Sequence, residues 1–452
     1  MHACKPEFPN GAIRRTQMRG TRNSSSETLG LSGILSDSSA HPIECALFTA
    51  YYIDEEWLLS YINSRAKITL IAHNYVNTGS GHSSDKRITR VFPELPREDF
   101  QIMHTKIMLI YYRCHLRFVV LTGNLVKEEW TVMQNAVFVQ DFKKDDSIFF
   151  PANEFSKSLA YALHDISAPA EIIAMMNGVD FSMASARIVT SVPTGGSRKQ
   201  RNMDEYGMER LATIVRDMEI DKQNAGVSKQ NIAEFVPNAR LYCTGSSLGP
   251  VDNRWLCDMY LSAHGINHSH CKHPVGPAIL PWELIDIGIA FHTQTQVDKC
   301  RYSDVGKEHI YMKSKDYFSS DFPKNSLVYL QPQVAKTLVH AKAILARFGE
   351  QQRKGWMYLG SHNFTPAAWG RLSVGRDSRS DSYFNNYELG VVFDDVVFMS
   401  TGKSSETDVF WKGKKIALPF KYIWEPYKRD DIPYLNEGTS KKVDGDFNNI
   451  LK

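Results

Sequence analysis

A chain of 452 residues has room for two or three folded domains. With 42% apolar and 23% charged residues it is neither disordered nor fibrous, and 53 basic against 50 acidic side chains leave a net charge of only +3. That balance excludes a nucleic-acid binder working by overall charge, so an anionic ligand would have to meet a local patch.

Residues 1–40 hold Arg14, Arg15, Arg19 and Arg22, then a serine-rich run from Ser24 to Ser39, with little apolar content to fold around. A flexible tail is expected there, its arginines a solvated run, a nuclear address or a phosphate contact. From about residue 42 the pattern is mixed α/β: a helix near 55–62 and strands near 68–72, 105–112, 118–121 and 136–139. A strand near 187–192 runs into a stretch of breakers and charge, 193–201, which reads as a linker. The first domain is therefore drawn over 41–193 and the second over 194–452. The second repeats the pattern, with strands near 338–348, 356–360 and 389–393 and a turn at 349–354.

The seven cysteines are odd in number and contain no C-x-x-C pair, so no disulfide framework and a reducing compartment are expected. Apolar runs such as 107–112 fall far short of the roughly 18 residues that span a bilayer, and the N-terminus lacks the apolar core of a signal peptide. The expectation is a soluble intracellular protein.

The chemistry lies in a repeat. His104-x-Lys106, Asn124 and Trp130 recur as His340-x-Lys342, Asn363 and Trp369. Histidine to asparagine is 124 − 104 = 20 residues in one copy and 363 − 340 = 23 in the other, a surplus that a longer hairpin turn absorbs. On a strand, positions two apart share a face, so each histidine would project beside its lysine. Two copies brought together give two histidines, two lysines and two asparagines around one pocket, which suits a phosphodiester. Lysines and carboxamides can stabilise the negative oxygens of a five-coordinate phosphorus without a metal. One histidine would attack as a neutral imidazole while the other donates a proton to the leaving oxygen.

These residues resemble the phospholipase D superfamily, whose signature, H-x-K-x4-D followed by G-S-x-N, occurs twice. Gly360-Ser361-His362-Asn363 fits its second part, while Leu121-Thr122-Gly123-Asn124 keeps only the asparagine. Tyr111 and Arg347 stand where the aspartates would be. That form is similar to the tyrosyl-DNA phosphodiesterase family, as are Tyr242 to Gly249 with Arg254-Trp255-Leu256, the run Tyr387 to Val391, and Phe364 to Gly370. The likeness covers roughly 45–440.

It implies two similar phospholipase D-like α/β domains, mixed sheets flanked by helices, related by a pseudo-twofold axis. It also implies a monomeric, nuclear DNA repair enzyme without a cofactor or metal. Its substrates would be single- or double-stranded DNA 3′ ends carrying a tyrosyl peptide, as in a topoisomerase I–DNA adduct. His104 would be the nucleophile that forms a phosphohistidine and His340 the general acid and base. Glu388 would orient His104 and Gln134 would orient His340, Asn135 replacing Gln134 if the register shifts by one. Phe100 would stack on a base, and Tyr51, Ser246 and Ser247 would track phosphates. Rival readings are a phospholipase D-type nuclease or lipid phosphodiesterase, against which the missing aspartates speak, and a non-catalytic DNA-end scaffold, against which the intact His and Lys pairs speak.

The segment His264 to His273 is dense in metal-ligand types, but its spacing fits no standard zinc finger, so a surface loop is expected. The runs 412–415 and 428–431 read as solvated charged faces.

Overall fold

The computed structural model describes residues 6–436 apart from 22–23, 39–40, 64, 76–84, 98–99, 150–152, 196–204, 225–226, 228–233, 268–283, 350, 352, 375–379 and 403–405. The alternation of strand and helix signals produces two mixed sheets built from a seven-strand unit used twice. In the first half the strands are β1 (Ala12–Thr16), β2 (Ile43–Ile53), β3 (Lys67–Tyr75), β4 (Ile88–Val91), β5 (Ile107–Tyr112), β6 (His115–Leu121) and β7 (Ala136–Lys143). In the second they are β8 (Arg187–Ser191), β9 (Ala239–Thr244), β10 (Ile287–Phe291), β11 (Leu327–Tyr329), β12 (Lys342–Phe348), β13 (Lys354–Gly360) and β14 (Asn386–Ser400).

Each sheet runs in the same order. In the first it is β1-β7-β6-β5-β2-β3-β4, and in the second β8-β14-β13-β12-β9-β10-β11. The sense of every pairing is also repeated: β2, β3 and β4 are mutually parallel neighbours, as are β9, β10 and β11, and the remaining contacts are antiparallel. The repeat read from a few polar residues is thus a repeat of topology.

Three apolar clusters layer the molecule. Alternate residues of a strand must face opposite sides of its sheet, and in β5 Ile107, Leu109 and Tyr111 enter a central cluster while Met108, Ile110 and Tyr112 enter an outer one. In β12 Ala343 and Leu345 join that same central cluster, and Ile344, Ala346 and Phe348 face the second outer layer, where the helices Gly207–Asp217 and Asn253–Ala263 pack. The two sheets therefore share a core, to which the helix Glu154–Asp165 adds Phe155, Leu159 and Leu163. Truncating a fully buried leucine such as Leu109 to alanine would cost about 2–5 kcal/mol.

Three expectations are corrected. The supposed tail supplies β1, which pairs with β7, and Ile13, Met18, Ile34 and Leu35 are buried; a few scattered apolar residues sufficed. The segment before β1 is tied down as well, because the Glu7 and Phe8 N–H groups donate to Asp141 Oδ2 at 2.7 and 2.9 Å. Arg15, one of the expected solvated run, pairs with Glu27 at 2.7 Å. Similarly, the strand assigned to the end of the first half is β8, which pairs with β14 in the second sheet. It corresponds to β1, so the second unit begins before the drawn boundary at 193. Among the cysteines, Cys45, Cys243, Cys257 and Cys300 are free, whereas Cys114 is disulfide-bonded, against the expectation of reduced thiols throughout.

Candidate active site

Both histidines stand where the chain leaves one half and enters the other. The expected continuous strand through each motif is interrupted there, because the residues before the histidine pair with the opposite half. Ile102–Met103 runs parallel to the start of β14, and the His104 N–H donates to the Tyr387 carbonyl at 2.9 Å. Leu338–Val339 runs parallel to Met133–Gln134, just before β7, and the His340 N–H donates to the Gln134 carbonyl at 2.9 Å. Each lysine turns back to its histidine: Lys106 Nζ donates to the His104 carbonyl at 3.0 Å and Lys342 Nζ to the His340 carbonyl at 2.7 Å.

The supports of the two motifs also match. Thr49 Oγ1 bridges the Thr105 carbonyl and the Ile107 N–H, as Thr244 Oγ1 bridges Ala341 and Ala343. The ends of β2 and β9 supply donors to the two asparagines. Tyr51 and Tyr52 N–H groups reach Asn124 Oδ1 at 3.2 and 3.4 Å, and Ser246 N, Ser246 Oγ and Ser247 N reach Asn363 Oδ1 at 3.0, 3.2 and 3.2 Å. With Asn363 Oδ1 so occupied, its Nδ2 remains to serve as a donor. Asn124 differs, since its Nδ2 and backbone N–H both donate to Glu129, at 2.7 and 2.5 Å.

Around His104, the Nδ1–H donates to Glu388 Oε2 at 2.8 Å, which leaves Nε2 with its lone pair. Glu388 is itself held by Ser361 Oγ and, at 2.9 Å, by Asn386 Nδ2. Gly390 and Gly360 make this corner possible: a Cβ on Gly390 would sit 2.2 Å from the Tyr358 hydroxyl, and one on Gly360 2.3 Å from Gly390 Cα. Burial pulls the imidazole down to about 4, with Glu388 opposing and Lys106 and Lys342 adding to it. Burial alone would raise the Glu388 carboxyl, but the charge and hydrogen bond of His104, with His362 and Lys106 behind, take it to about 2.

Around His340 the expected partner is corrected. The side chain of Gln134 turns away to Thr337 Oγ1 at 2.6 Å, and only its backbone carbonyl serves His340. The position equivalent to Glu388 is Asn135, whose Oδ1 lies 3.2 Å from His340 Nδ1. Asn135 Nδ2 donates to the Glu129 carbonyl and Thr122 Oγ1 donates to Asn135 Oδ1, so the amide is locked with its oxygen toward the ring. Thr122 thus does for Asn135 what Ser361 does for Glu388.

Two residues were not singled out by sequence reasoning. Glu129, on the short helix Lys127–Thr131, lies 3.2 Å from His340 Nδ1 and 2.9 Å from His309 Nδ1. A glutamate five residues after the motif asparagine, beside Trp130, was the available signal; His309 offered none. Burial would raise the Glu129 carboxyl, but His340, His309 and Lys342 hold it well below the usual range. Burial, opposed by Glu129 and helped by Lys342, takes His340 well below the ordinary histidine range.

Burial also lowers both lysines, Lys106 to about 8 and Lys342 well below its ordinary value, and Lys106 adds to the depression of Lys342. Lys342 likewise acts on His104 and Lys106 on His340, so the two motifs lie within electrostatic reach of each other. Lys106 and Lys342 are fully buried and His104 and His340 nearly so. An anion bridging the lysines would relieve their repulsion.

Phe100, four residues before His104, is 71% exposed, as a stacking residue must be. The Tyr51 ring stacks on His73 at 4.8 Å and lies 6.1 Å from the His104 ring. Ser246 is buried with its hydroxyl on Asn363, so only half-buried Ser247 keeps a side chain near the surface for a phosphate. At the aspartate positions of the phospholipase D signature, Tyr111 is core and its hydroxyl donates to the Ile172 carbonyl at 3.1 Å, while half-buried Arg347 lies over the Tyr422 ring at 5.0 Å.

For a cation, Glu129, His309 and His340 present ligand atoms within 4.8 Å of one another, the one such group among the described residues. Lys342 Nζ, 3.0 Å from His340 Nε2, opposes positive charge there. His264 is a core histidine bonded to the Tyr260 carbonyl and Asn238; His268 to His273 lie outside the described residues.

A sequence profile described as Tyrosyl-DNA phosphodiesterase matches residues 12–434. The Arabidopsis thaliana protein named Tyrosyl-DNA phosphodiesterase 1 is 25% identical over 88% of this chain and 70% of its own length. Among solved structures, the yeast tyrosyl-DNA phosphodiesterase superposes with a TM-score of 0.67 at 15% identity, over 94% of this chain and all of the yeast chain. A histidine-to-asparagine variant of that yeast protein gives 0.68 at 14% identity, over 94% and 100% of the two chains. Sequence profile, paired motifs and strand order agree, and the chain belongs to the tyrosyl-DNA phosphodiesterase family.

Proposed function

We propose that this protein is a DNA repair phosphodiesterase that hydrolyses the bond between a DNA 3′-phosphate and a tyrosine, as in a stalled topoisomerase I adduct, through a covalent phosphohistidine. His104 Nε2 attacks phosphorus, and the phenolic oxygen leaves with a proton from His340. A phenol of pKa about 10 is a poor leaving anion at neutral pH, so this proton matters. In the second step His340 takes a proton from water, the water oxygen bonds to phosphorus, and the phosphorus–nitrogen bond to His104 breaks to free a 3′-phosphate. Lys106, Lys342 and Asn363 Nδ2 stabilise the charge on the equatorial oxygens. Burial keeps both imidazoles neutral, which suits the nucleophile; the negative phosphodiester favours the proton that His340 then carries.

The observation that carries this reading is the crossed pair of Nδ1 contacts, His104 to Glu388 and His340 to Asn135 and Glu129, by which each histidine is oriented from the opposite half of the chain. Membership of the family supports it, and among the described residues no helix is long and apolar enough to cross a membrane. The same reading assigns the enzyme to the nucleus, where such adducts arise, and needs no cofactor. Incubation with a 3′-phosphotyrosyl oligonucleotide in EDTA tests it. A 3′-phosphate product is expected; binding without turnover would make the protein an end-binding scaffold, and turnover only with added metal would end the proposed chemistry.

A further inference from the structure

The Glu129 carboxylate serves two imidazoles at once. Its Oε2 lies 3.2 Å from His340 Nδ1, its Oε1 lies 2.9 Å from His309 Nδ1, and the two rings meet edge to face with centroids 5.8 Å apart. Glu129 itself cannot swing, because the Asn124 N–H and Nδ2 clamp it and its side chain is fully buried. His309 differs from its neighbour in one respect that matters: its side chain is 23% exposed, against 6% for His340. It is also well fixed, at the end of the 3-10 turn Lys307–His309, with the next residues tied to Ser246 and Asn436. A solvent-reached imidazole, a locked carboxylate and a buried imidazole therefore stand in one line.

We propose that His309 is a positioning residue for the leaving-group acid: by sharing the Glu129 carboxylate it sets how readily His340 carries the proton that the departing tyrosine takes. This rests on the assignment of His340 as acid and base. One carboxylate cannot support two imidazolium ions as well as one, so a proton on His309 disfavours a proton on His340 and the pair titrates as a unit. The charged and titratable groups facing the pair, among the described residues, are Glu129 and Glu128 from the helix Lys127–Thr131, Lys342 from β12 and Lys106 from the opposite motif. Burial would lower His309, but the hydrogen bond and charge of Glu129 outweigh it and raise it above the ordinary histidine value. With Glu129 shared in this way the proton favours His309 over His340, and His340 is left free to serve as the base of the second step. Consequently His309 favours rapid release of the phosphohistidine at the expense of the acid step.

The test is His309→Gln, which keeps a hydrogen-bond donor for Glu129 but cannot be charged, beside His309→Lys, which keeps a permanent charge. Quench-flow with a 3′-phosphotyrosyl oligonucleotide separates formation of the covalent adduct from its hydrolysis across the pH range. Without the cation His340 holds its proton to higher pH. In His309→Gln the alkaline limb of adduct formation and the acid limb of adduct hydrolysis should both move up by roughly one to two pH units, as expected for loss of a unit charge about 6 Å away. The adduct should then accumulate at neutral pH, and His309→Lys should show neither change. A merely structural role predicts unshifted limbs in the folded Gln variant, and that result, or equal shifts in both variants, would overturn the proposal. Wild-type protein that forms no adduct at any pH would sink the mechanism beneath it, a distinct outcome.

Discussion

The two halves share strand order, threonine bridges and a histidine–lysine pair, yet they treat their histidines differently. His104 has a carboxylate to itself, Glu388, at 2.8 Å. His340 has the neutral Asn135 in the equivalent place and a share of Glu129, which it divides with His309. The position equivalent to Glu129, five residues beyond the second motif asparagine, is Ala368, which is buried and carries no charge. A duplicated site can thus be turned to two jobs by moving one carboxylate. A nucleophile needs its Nδ1 proton pinned while it attacks, whereas an acid that becomes a base must accept and lose a proton in each turnover.

The largest effect that would break this contrast comes from Glu388→Ala, which frees the His104 ring and its tautomer. Adduct formation should fall by roughly 10²–10³ while hydrolysis of adduct already formed changes little. Glu388 favours the protonated imidazole, so its removal lowers the His104 pKa further, and the acid limb of adduct formation should move to lower pH. A fall confined to hydrolysis would exchange the roles of the two halves.

A smaller effect sharpens the register. Asn135→Ala removes one hydrogen bond to His340 and should slow cleavage by about fivefold, the kinetic equivalent of about 1 kcal/mol. Gln134→Ala, whose side chain faces Thr337, should leave the rate constants of the folded enzyme within about twofold. The reverse ranking would restore the expectation drawn from sequence.

The residues that lead into the two histidines differ too. Four residues before His104 stands the exposed ring of Phe100; four before His340 stands Lys336, exposed and at positive φ. If the Phe100 side receives the nucleic acid, Phe100→Ala should weaken oligonucleotide binding by about fivefold to a hundredfold, measured by fluorescence anisotropy, with the adduct-forming rate at saturation nearly unchanged. Lys336→Ala should have the smaller effect on that affinity.

Much of this site was legible in the sequence because its chemistry is carried by two short, repeated motifs in hairpins whose alternating residues betray their faces. His104, Lys106, His340, Lys342 and Asn363 could be named from the repeated motifs, and Glu388, expected from the family resemblance, lies 2.8 Å from His104. Gln134 went wrong for a physical reason: in an extended segment a shift of one residue exchanges the faces, and Gln134 and Asn135 are both amides, so composition could not choose between them. The interruption of each strand at its histidine was hidden because the pairing partner lies hundreds of residues away, as with Met103 and Tyr387. β1 was missed because the arginines and the serine run around it masked Ala12 and Ile13, adjacent residues that enter two different apolar clusters and pair with β7. Glu129 and His309 meet only through the fold.

The most direct measurement of the crossed arrangement is the site of covalent attachment. His340→Asn, which lacks the base of the second step, should trap the oligonucleotide 3′-phosphoryl group, and peptide mass spectrometry should find it on His104. Attachment to any other residue, or an adduct that persists in the His104→Ala, His340→Asn double variant, would contradict the assignment of the two halves.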